Sequence, residues 1–437
     1  MDAQLSRIAD KLTQAAADPR LLESFGAHKH GFRLNPPLSE STVAAFETEH
    51  GVVLPEGYRR FLLEVADGGA GPSYGLLTLA DAHDMFADCF AGHLTEPSPF
   101  VPGIVYSDDW WDRFQGPQDR PDPIQGTLSI VHHGCTSCTQ LVISGPGRGR
   151  LVAIDFNGVP APYVQEDPDF LTWYERWVDE LLAGYDVAGF GQKLPGDEAT
   201  LLGILATDPS PERRARAATS LQCLPQLSPT AVQALATAAG DPSTLVRATV
   251  LGCAWRSGIP IDAAARAALN DLDASVRAEA ISVLRVLSTP DLAERARALL
   301  EDHDREVMWR ALWALADSGD LTVADLAPLA ARPDARAREL SLYRLAEARG
   351  DATDLIARAL ADEQPQVRRQ AIQAAEKRDN RVLLPILQHM IRSETDTYVL
   401  INLRRVISAW TDTPSGQAGP RLPACGLAVD ASLDSSA

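Results

Sequence analysis

The sequence has little cysteine, no long apolar run and no leader-like start, and each shortage excludes a class of protein. Its 437 residues include six cysteines, too few and too scattered for a disulfide framework. No run approaches the roughly 18 consecutive apolar residues that a membrane-spanning helix requires. Residues 1–10 lack a basic segment followed by an apolar one, so no secretory signal is readable. These shortages predict a cytoplasmic protein with reduced thiols and no membrane contact.

Positive charge is also scarce. The chain has 40 Lys+Arg against 59 Asp+Glu, a net charge of −19, and only four of the cations are lysines. Residues 1–190 hold 12 Lys+Arg and 27 Asp+Glu, which gives −15, so the N-terminal part carries most of the excess. Nucleic acid is a poor partner for such a surface, because phosphate binding draws on Lys and Arg. An acidic surface instead speeds association with a basic protein, or it only keeps the protein in solution.

A periodic pattern fills the second half of the sequence. A valine, followed by arginine in all but one copy, recurs at intervals of 30, 31 and then 60 residues by subtraction of residue numbers, and weaker copies fall in register. A break containing Asp, often with Pro, precedes each copy. Because Asp caps helices and Pro fits a first helical turn, each period predicts two short helices. The copies are Val246-Arg247, Val276-Arg277, Val307, Val367-Arg368, and the weaker Arg213-Arg214 and Ala337-Arg338.

The apolar residues within one copy follow helical spacing. One face, at offsets of four, seven and eight, carries Val276, Ala280, Val283 and Leu284. A two-helix unit cannot bury such a face alone and must stack on its neighbours, which creates an extended surface instead of a pocket. With this period and this opening pair, residues 197–410 resemble HEAT-like repeats. The resemblance implies an all-α solenoid of about seven repeats.

The repeated arginine has two interpretations. One arginine at the same place in each unit, near an Asp in the preceding loop, favours an internal ladder of Asp–Arg contacts that fixes the stacking of repeats. The alternative is a basic ladder for DNA, as in the HEAT-like DNA glycosylases. A glycosylase or lyase would also need an acidic catalytic residue facing a concave basic groove. The arginines in question are Arg214, Arg247, Arg277, Arg338 and Arg368.

Aromatic residues concentrate in the middle repeats. They are Trp255, Trp309, Trp313 and Tyr343. Most are predicted to lie in the core, and any that is exposed would mark a binding surface.

The N-terminal part carries one recognisable string, which reads as a helix, a glycine turn and a strand over residues 54–79. Pro55 opens the predicted helix, and glycines that tolerate positive φ end it. The string is similar to the SMI1/KNR4 family, also called the SUKH superfamily, in which a helix beginning Leu-Pro closes in a polar residue and Gly-Gly. Asp67 stands where the family commonly has Asn. The matching positions, to which we assign a mainly structural role, are Leu54, Pro55, Tyr58, Phe61, Asp67, Gly68 and Gly69.

The pattern downstream of this string agrees with the resemblance. Alternating apolar residues predict strands at 126–130, 141–144 and 149–156, and a broad apolar face predicts a closing helix over 170–182. The resemblance therefore implies an α+β domain of SUKH type over residues 1–190, followed by the all-α HEAT-like solenoid.

Members of the SUKH superfamily bind proteins, so the resemblance implies a binding function. Many bacterial members are thought to be immunity proteins that neutralise polymorphic toxins, often nucleases, and others serve as interaction scaffolds. We accordingly expect a non-enzymatic protein whose main candidate partner is a basic toxin domain. A multi-partner scaffold or regulator is the alternative.

An acidic and aromatic segment is the candidate partner site. Aromatic anchors ringed by charge are typical of binding hot spots, and Pro and Gly flank this segment. The alternative is that one or both tryptophans pack in the core while the carboxylates are solvated. The segment consists of Asp108, Asp109, Trp110, Trp111 and Asp112.

The sequence shows no catalytic set and predicts neither a metal nor a cofactor. The string His132-His133-Gly134-Cys135-Thr136-Ser137-Cys138 holds a CxxC, but no second pair follows to complete a zinc site. We expect a turn between two strands there. Residues 411–437 are rich in Ser, Gly, Pro and Ala without periodicity, which predicts a disordered tail.

Overall fold

The computed structural model describes residues 3–84, 92–113, 123–157 and 160–411. These residues are mostly helical, with a small four-stranded antiparallel sheet in the N-terminal part. The chain divides into two compact units, Met1–Thr289 (unit 1) and Pro290–Ala437 (unit 2). The sheet and the first three helix pairs of the repeats therefore belong to one unit. The domain boundaries at residues 190 and 197 remain predictions, and the tail beyond residue 411 lies outside the described residues.

Short helices open unit 1. The side chain of Ser39 caps α3 by accepting a hydrogen bond from Thr42 N at 3.1 Å. Helix α4 carries the recognisable string. The helices are α1 Ala3–Ala17, α2 Ala27–His30, α3 Glu40–His50, α4 Glu56–Glu64 and α5 Leu79–Asp84, and 3₁₀ turns lie at Pro19–Glu23 and Asp108–Arg113.

The sheet has antiparallel strands in the order β1-β2-β3-β4, and both of its faces are buried. Alternate residues point to opposite faces, so Leu141 enters a core shared with α1, α4 and α6, whereas Val142 enters a second core. Leu151 and Val152 on the next strand divide in the same way. The strands are β1 Thr127–Gly134, β2 Ser137–Val142, β3 Leu151–Asp155 and β4 Tyr163–Val164.

Helix α6, Phe170–Leu182, covers the first face of the sheet as predicted. Its Phe170 ring lies edge-on to Phe61 of α4 at 5.2 Å. On the opposite side of the helix, Glu175 accepts hydrogen bonds from Arg7 and Lys11 of α1. Arg7, and then Lys11, lower the pKa of Glu175 to about 2. Apolar packing and an ion-pair cluster therefore hold the same helix from two sides.

Helix pairs make up the rest of the chain. Short loops with Asp or Ser caps separate the two helices of most pairs, as the sequence pattern predicts. In unit 1 the pairs are α7 Glu198–Thr207 with α8 Pro211–Leu221, α9 Pro229–Ala238 with α10 Thr244–Ser257, and α11 Asp262–Ala268 with α12 Ala274–Val286. In unit 2 they are α13 Leu292–Leu299 with α14 Arg305–Asp317, α15 Val323–Ala330 with α16 Ala335–Arg344, α17 Thr353–Ala359 with α18 Pro365–Lys377, and α19 Leu384–Met390 with α20 Thr397–Thr411.

One local prediction in unit 1 was wrong, and another was right about the element but not about its length. The strand expected at 74–79 is reduced to isolated bridges, in which Leu76 pairs with Gly69 and Val131. The turn expected around the CxxC is much shorter, because β1 runs to Gly134 and β2 begins at Ser137. Within the described part of the chain, no helix is both long and apolar enough to cross a membrane.

Candidate binding surfaces

The acidic and aromatic segment lies on the second core of the sheet. Trp110 is 2% exposed and stacks on Phe100 with ring centroids 5.3 Å apart. Trp111 is half-buried and packs edge-on against Trp110 at 4.9 Å. Trp110 is therefore a core residue whose ring no partner can reach in this fold.

Two of the three acidic residues of this segment have described side chains. Asp109 and Asp112 are exposed, and Asp109 accepts a hydrogen bond from the Ser107 hydroxyl. The side chain of Asp108 lies outside the described part of the molecule. The accessible part of the predicted site consequently reduces to Asp109, Asp112 and the outer edge of Trp111, and its role in binding stays a prediction.

The recognisable string, residues 54–79, makes contacts inside the fold. Asp67 accepts a hydrogen bond from Leu79 N at 2.7 Å, at the start of α5, and burial raises the pKa of Asp67. Gly68 and Gly69 have φ of 79° and 101°. A Cβ on Gly69 would lie 2.6 Å from Arg33 O, so only glycine fits there. Of the matching positions in the string, the buried ones are Leu54, Pro55, Tyr58, Phe61 and Gly68.

The CxxC segment is divided between a turn and a strand. Cys135 is exposed in the hairpin turn, whereas Cys138 is buried in β2, where burial raises the pKa of its thiol to about 11. Burial lowers the pKa of His133 to about 4, and its ring bonds to the hydroxyls of Ser73 and Thr139, each at 2.8 Å. Among the described residues, no group of three or more His, Cys, Asp or Glu is placed to hold a metal ion.

The repeat arginines form the predicted ladder. Arg247 Nε and Nη2 donate to the two carboxylate oxygens of Asp271 at 2.7 and 2.9 Å, and Nη1 donates to Asp241 O at 2.9 Å. In each such contact, called a rung below, an arginine donates to a carbonyl in the loop that precedes its own helix and to a carboxylate in the next repeat. The prediction had placed the carboxylate in the preceding loop, which instead supplies the carbonyl. Other rungs join Arg214 to Asp241, Arg338 to Asp362 and Arg368 to Glu394.

The rungs are half-buried, charge-assisted pairs, and they shift the pKa values of both partners. The hydrogen bond from Arg247 holds the pKa of Asp271 below its ordinary value, and the carboxylate raises the pKa of Arg247. Arg368 lowers the pKa of Glu394 in the same way. Bidentate geometry makes these contacts directional, so they fix the register of one repeat on the next.

One rung in unit 2 has its residue types exchanged. Met308 stands where five of the other second helices carry arginine, namely α8, α10, α12, α16 and α18, and Arg332 stands where the next loop would carry Asp. Arg332 Nη2 donates to Leu300 O at 2.8 Å, and Nη1 lies 3.3 Å from Asp302 O and 2.8 Å from Met308 Sδ. The guanidinium thus reaches back to the loop of the earlier repeat. The only sequence signal for this contact is the pair of exchanged residues, Met308 and Arg332.

Within unit 1, the first helix pair is fixed to the sheet region. Arg213 Nε and Nη2 donate to Glu166 at 2.7 and 2.9 Å, and Arg213 also pairs with Asp208. The Arg216 guanidinium lies 3.6 Å from the centre of the Tyr163 ring. Glu166 therefore accepts a bidentate hydrogen bond from an arginine of the repeats, as the loop carboxylates of the rungs do.

Exposed aromatic residues lie on the second helices of unit 2. Trp313 of α14 and Tyr343 of α16 are 40% and 43% exposed. Between them Trp309 is half-buried, with its ring 5.7 Å from Tyr343 and 6.1 Å from Trp313. The Arg344 guanidinium lies 4.7 Å from the centroid of the Trp309 ring and packs against these aromatic side chains. These are the aromatic residues that the sequence placed mostly in the core, and two of them are exposed.

A family model of HEAT repeats matches residues 261–346. The repeats are HEAT-like. Three solved structures resemble parts of the chain. The YibA protein of Escherichia coli is 17% identical over 56% of this chain and 89% of its own, with a TM-score of 0.37.

The other two structures are a HEAT-like repeat protein and an enzyme. The archaeal HEAT-like repeats protein from Thermococcus onnurineus NA1 is 14% identical over 50% of this chain and 98% of its own, with a TM-score of 0.34. Human deoxyhypusine hydroxylase, solved with glycerol, is 18% identical over 49% of this chain and 96% of its own, with a TM-score of 0.24. No curated protein matches the chain.

Proposed function

We propose that this protein is a cytoplasmic, non-enzymatic scaffold that binds other proteins through its HEAT-like repeats. The observation that carries the proposal is the exposure of Trp313 and Tyr343 on neighbouring second helices. Exposed aromatic side chains are enriched at protein–protein hot spots because they bury a large area at little entropic cost. HEAT-like arrays are built to present such extended surfaces.

The ladder supports a protein partner over DNA. A DNA-binding surface needs cations free to neutralise phosphates. The arginines that would serve this purpose are instead bound on both edges, to a carboxylate and to a loop carbonyl, as in Arg247 and Arg338. This use of the arginines favours a structural framework over the glycosylase or lyase alternative.

A narrower candidate function is immunity to a polymorphic toxin with a basic surface. The observation that favours it is the net charge of −15 on residues 1–190, with Asp109 and Asp112 exposed beside the half-buried Trp111. Complementary charge would speed capture of a basic toxin domain. The SUKH-like string motivates the same idea, although its buried residues would act by shaping the domain.

A pull-down with the full-length chain from its native host, followed by mass spectrometry, tests both functions. The scaffold proposal predicts several protein partners that are lost from the Trp313→Ala/Tyr343→Ala double variant. The immunity proposal predicts one basic partner, lost at high salt and from the Asp109→Lys/Asp112→Lys variant. Val382→Ser, which alters a 76% exposed apolar residue outside both surfaces, is the control.

Recovery of nucleic acid without protein would contradict both proposals. Partners that persist on both double variants would show that the protein binds through neither surface.

A further inference from the structure

One face of the unit 2 repeats changes character from helix to helix. The residues two, six and ten positions after the buried residue that opens each second helix lie on one face, because offsets of four return to the same side. We call this set the unit 2 ridge. Its members are Trp309, Trp313 and Asp317 on α14, Glu339 and Tyr343 on α16, Glu347 in the 3₁₀ turn that follows α16, and Arg369, Gln373 and Lys377 on α18.

The α14–α16 part of the ridge is an aromatic cluster that packs against a buried arginine. Arg344 is 8% exposed and its guanidinium lies within 5.6 Å of the rings of Trp309, Trp313 and Tyr343. Glu347 accepts a hydrogen bond from Arg344 Nη1 at 2.9 Å. The rings are therefore fixed by a buried cation beneath them, and they form a preorganised surface for an apolar anchor.

The α18 part of the ridge carries cations without carboxylate partners. Across the described part of the molecule, Arg369 makes no hydrogen bond or ion pair, and its Nε is buried without an acceptor. Lys377 Nζ lies 5.2 Å from the Tyr343 ring and forms no ion pair with a described residue. A half-buried guanidinium without an acceptor is costly, so this end of the ridge is poised to receive one.

The carboxylates around the ridge are already engaged. Glu339 pairs with Arg336 at 2.7 Å, and Glu376 pairs with Arg405. Glu347 pairs with Arg344, so Glu339 and Glu347 of the ridge have arginine partners, whereas Arg369 and Lys377 pair with no carboxylate among the described residues. The ridge is thus apolar at one end and cationic at the other, in a chain whose net charge is −19.

We propose that the unit 2 ridge binds an acidic segment of a partner protein. An apolar side chain of that segment packs on Trp309, Trp313 and Tyr343, and its carboxylates accept hydrogen bonds from Arg369 and Lys377. Charge complementarity selects this partner, because Arg369 and Lys377 have no carboxylate acceptor among the described residues, whereas Glu339 and Glu347 already accept hydrogen bonds from arginines. The inference rests on the proposed scaffold function and specifies which surface and which partner chemistry it uses.

The test uses a phage-displayed library of short random peptides, panned on the full-length protein. We expect enrichment of peptides rich in Asp and Glu around an apolar or aromatic residue. Fluorescent versions of the enriched peptides should bind the Trp313→Ala/Tyr343→Ala variant about 30-fold more weakly. Arg369→Glu should weaken them about 10-fold and reduce the salt dependence of binding.

The matched control is Arg358→Glu, which makes the same charge change on the first helix of the same repeat. Arg358 is exposed and donates only to the backbone of its own helix, so this variant should bind the peptides like the wild-type protein. Circular dichroism of each variant separates loss of binding from loss of fold.

Several outcomes would overturn the proposal. They are no enrichment, enriched peptides without an excess of acid, and peptides bound equally by the ridge variants. Ridge-dependent binding of a labelled single-stranded oligonucleotide would assign the surface to nucleic acid instead. If host proteins in the pull-down are lost from Trp313→Ala/Tyr343→Ala but remain bound to Arg369→Glu, the scaffold function stands and the ridge proposal falls.

Discussion

The two units share one framework but differ at matched positions on their second helices. Rungs of the same geometry occur in both units, as Arg247–Asp271 and Arg338–Asp362 show. Six residues after the residue that opens each second helix, however, unit 1 has small residues and unit 2 has large ones. These residues are Thr219, Gly252 and Ser282 in unit 1, and Trp313, Tyr343 and Gln373 in unit 2.

Burial follows the same division. Gly252 and Ser282 are buried, whereas Trp313 and Tyr343 are among the exposed large residues. Side-chain size at the contact sets how closely two helices approach, so small residues suit a position used for packing. Large exposed residues at the same position do not pack in this way, and under the proposed function they contact a partner instead. The shared geometry of the rungs is thus compatible with two uses of this helix face, packing in unit 1 and, as proposed, recognition in unit 2.

Exchanging the residue types at this position should give the largest effect. Gly252→Trp introduces a large ring at a buried site of unit 1, and overpacking should lower the free energy of unfolding by about 3 kcal/mol. Trp313→Ala, at a site 40% exposed, should cost only about 1 kcal/mol. Urea unfolding followed by circular dichroism measures both.

Gly252→Ala is the control for the loss of glycine itself. A Cβ there meets only the flexible guanidinium of Arg256, at 3.1 Å, and alanine favours the helix by up to about 1 kcal/mol. We therefore expect no loss of stability. If Gly252→Trp were as stable as Gly252→Ala, small size would not be what this position requires.

Breaking a rung should have a similar effect in both units. Arg247→Ala or Arg338→Ala removes a bidentate contact and leaves a half-buried carboxylate without its cation, which should cost about 2 kcal/mol. Arg336→Ala removes a side chain that is 62% exposed, and its effect should stay within about 0.5 kcal/mol. Unequal losses for the two rung variants would show that the framework is not shared.

The sequence predicted the framework well because the framework is periodic. A Val-Arg pair with a preceding Asp specifies both the buried face and the rung, so helix pairs and ladder could be predicted together. The four-stranded sheet was predicted in part. Alternation located β1 and β3, but the second strand was expected at 141–144, whereas β2 spans Ser137–Val142, and the two-residue strand β4 is too short to show alternation.

The sequence did not predict the surfaces, for a physical reason. Whether an aromatic residue is buried depends on packing between distant segments, so Trp110 and Trp313 could not be told apart by local pattern. Trp110 is buried beside Phe100, which lies in another loop, and Trp313 is exposed on a helix. Arg369, which pairs with none of the described residues, was missed because pairing is a property of neighbours in space.

Restoring the exchanged rung in unit 2 should show coupling between its residues. Met308→Arg alone would bring a second guanidinium beside Arg332, and Arg332→Asp alone would remove the donor to Leu300 O. Met308→Arg/Arg332→Asp recreates the usual arrangement, so it should be more stable than the sum of the single effects by about 1–2 kcal/mol. Strict additivity would contradict the view that these two residues form a rung.

The dependence of a rung on pH should give the smallest effect. Arg247 holds the pKa of folded Asp271 below its ordinary value of 3.8, so below that value the unfolded chain binds more protons than the folded one. The stabilisation from this carboxylate is complete above its unfolded pKa and is lost as the pH falls through the folded value. The difference in free energy of unfolding between wild type and Arg247→Ala should therefore shrink as the pH falls below about 4.

Gly252→Ala provides the reference for this titration, because it changes no ionisable group. Its difference from wild type should stay constant between neutral pH and pH values below 4, while the Arg247→Ala difference narrows. A gap for Arg247→Ala that is independent of pH would mean that this rung acts through its contact with Asp241 O and not through the charge of Asp271. The arginines would then stabilise the repeats through hydrogen bonds to loop carbonyls. The carboxylates of the ladder would orient the arginines without adding electrostatic stability.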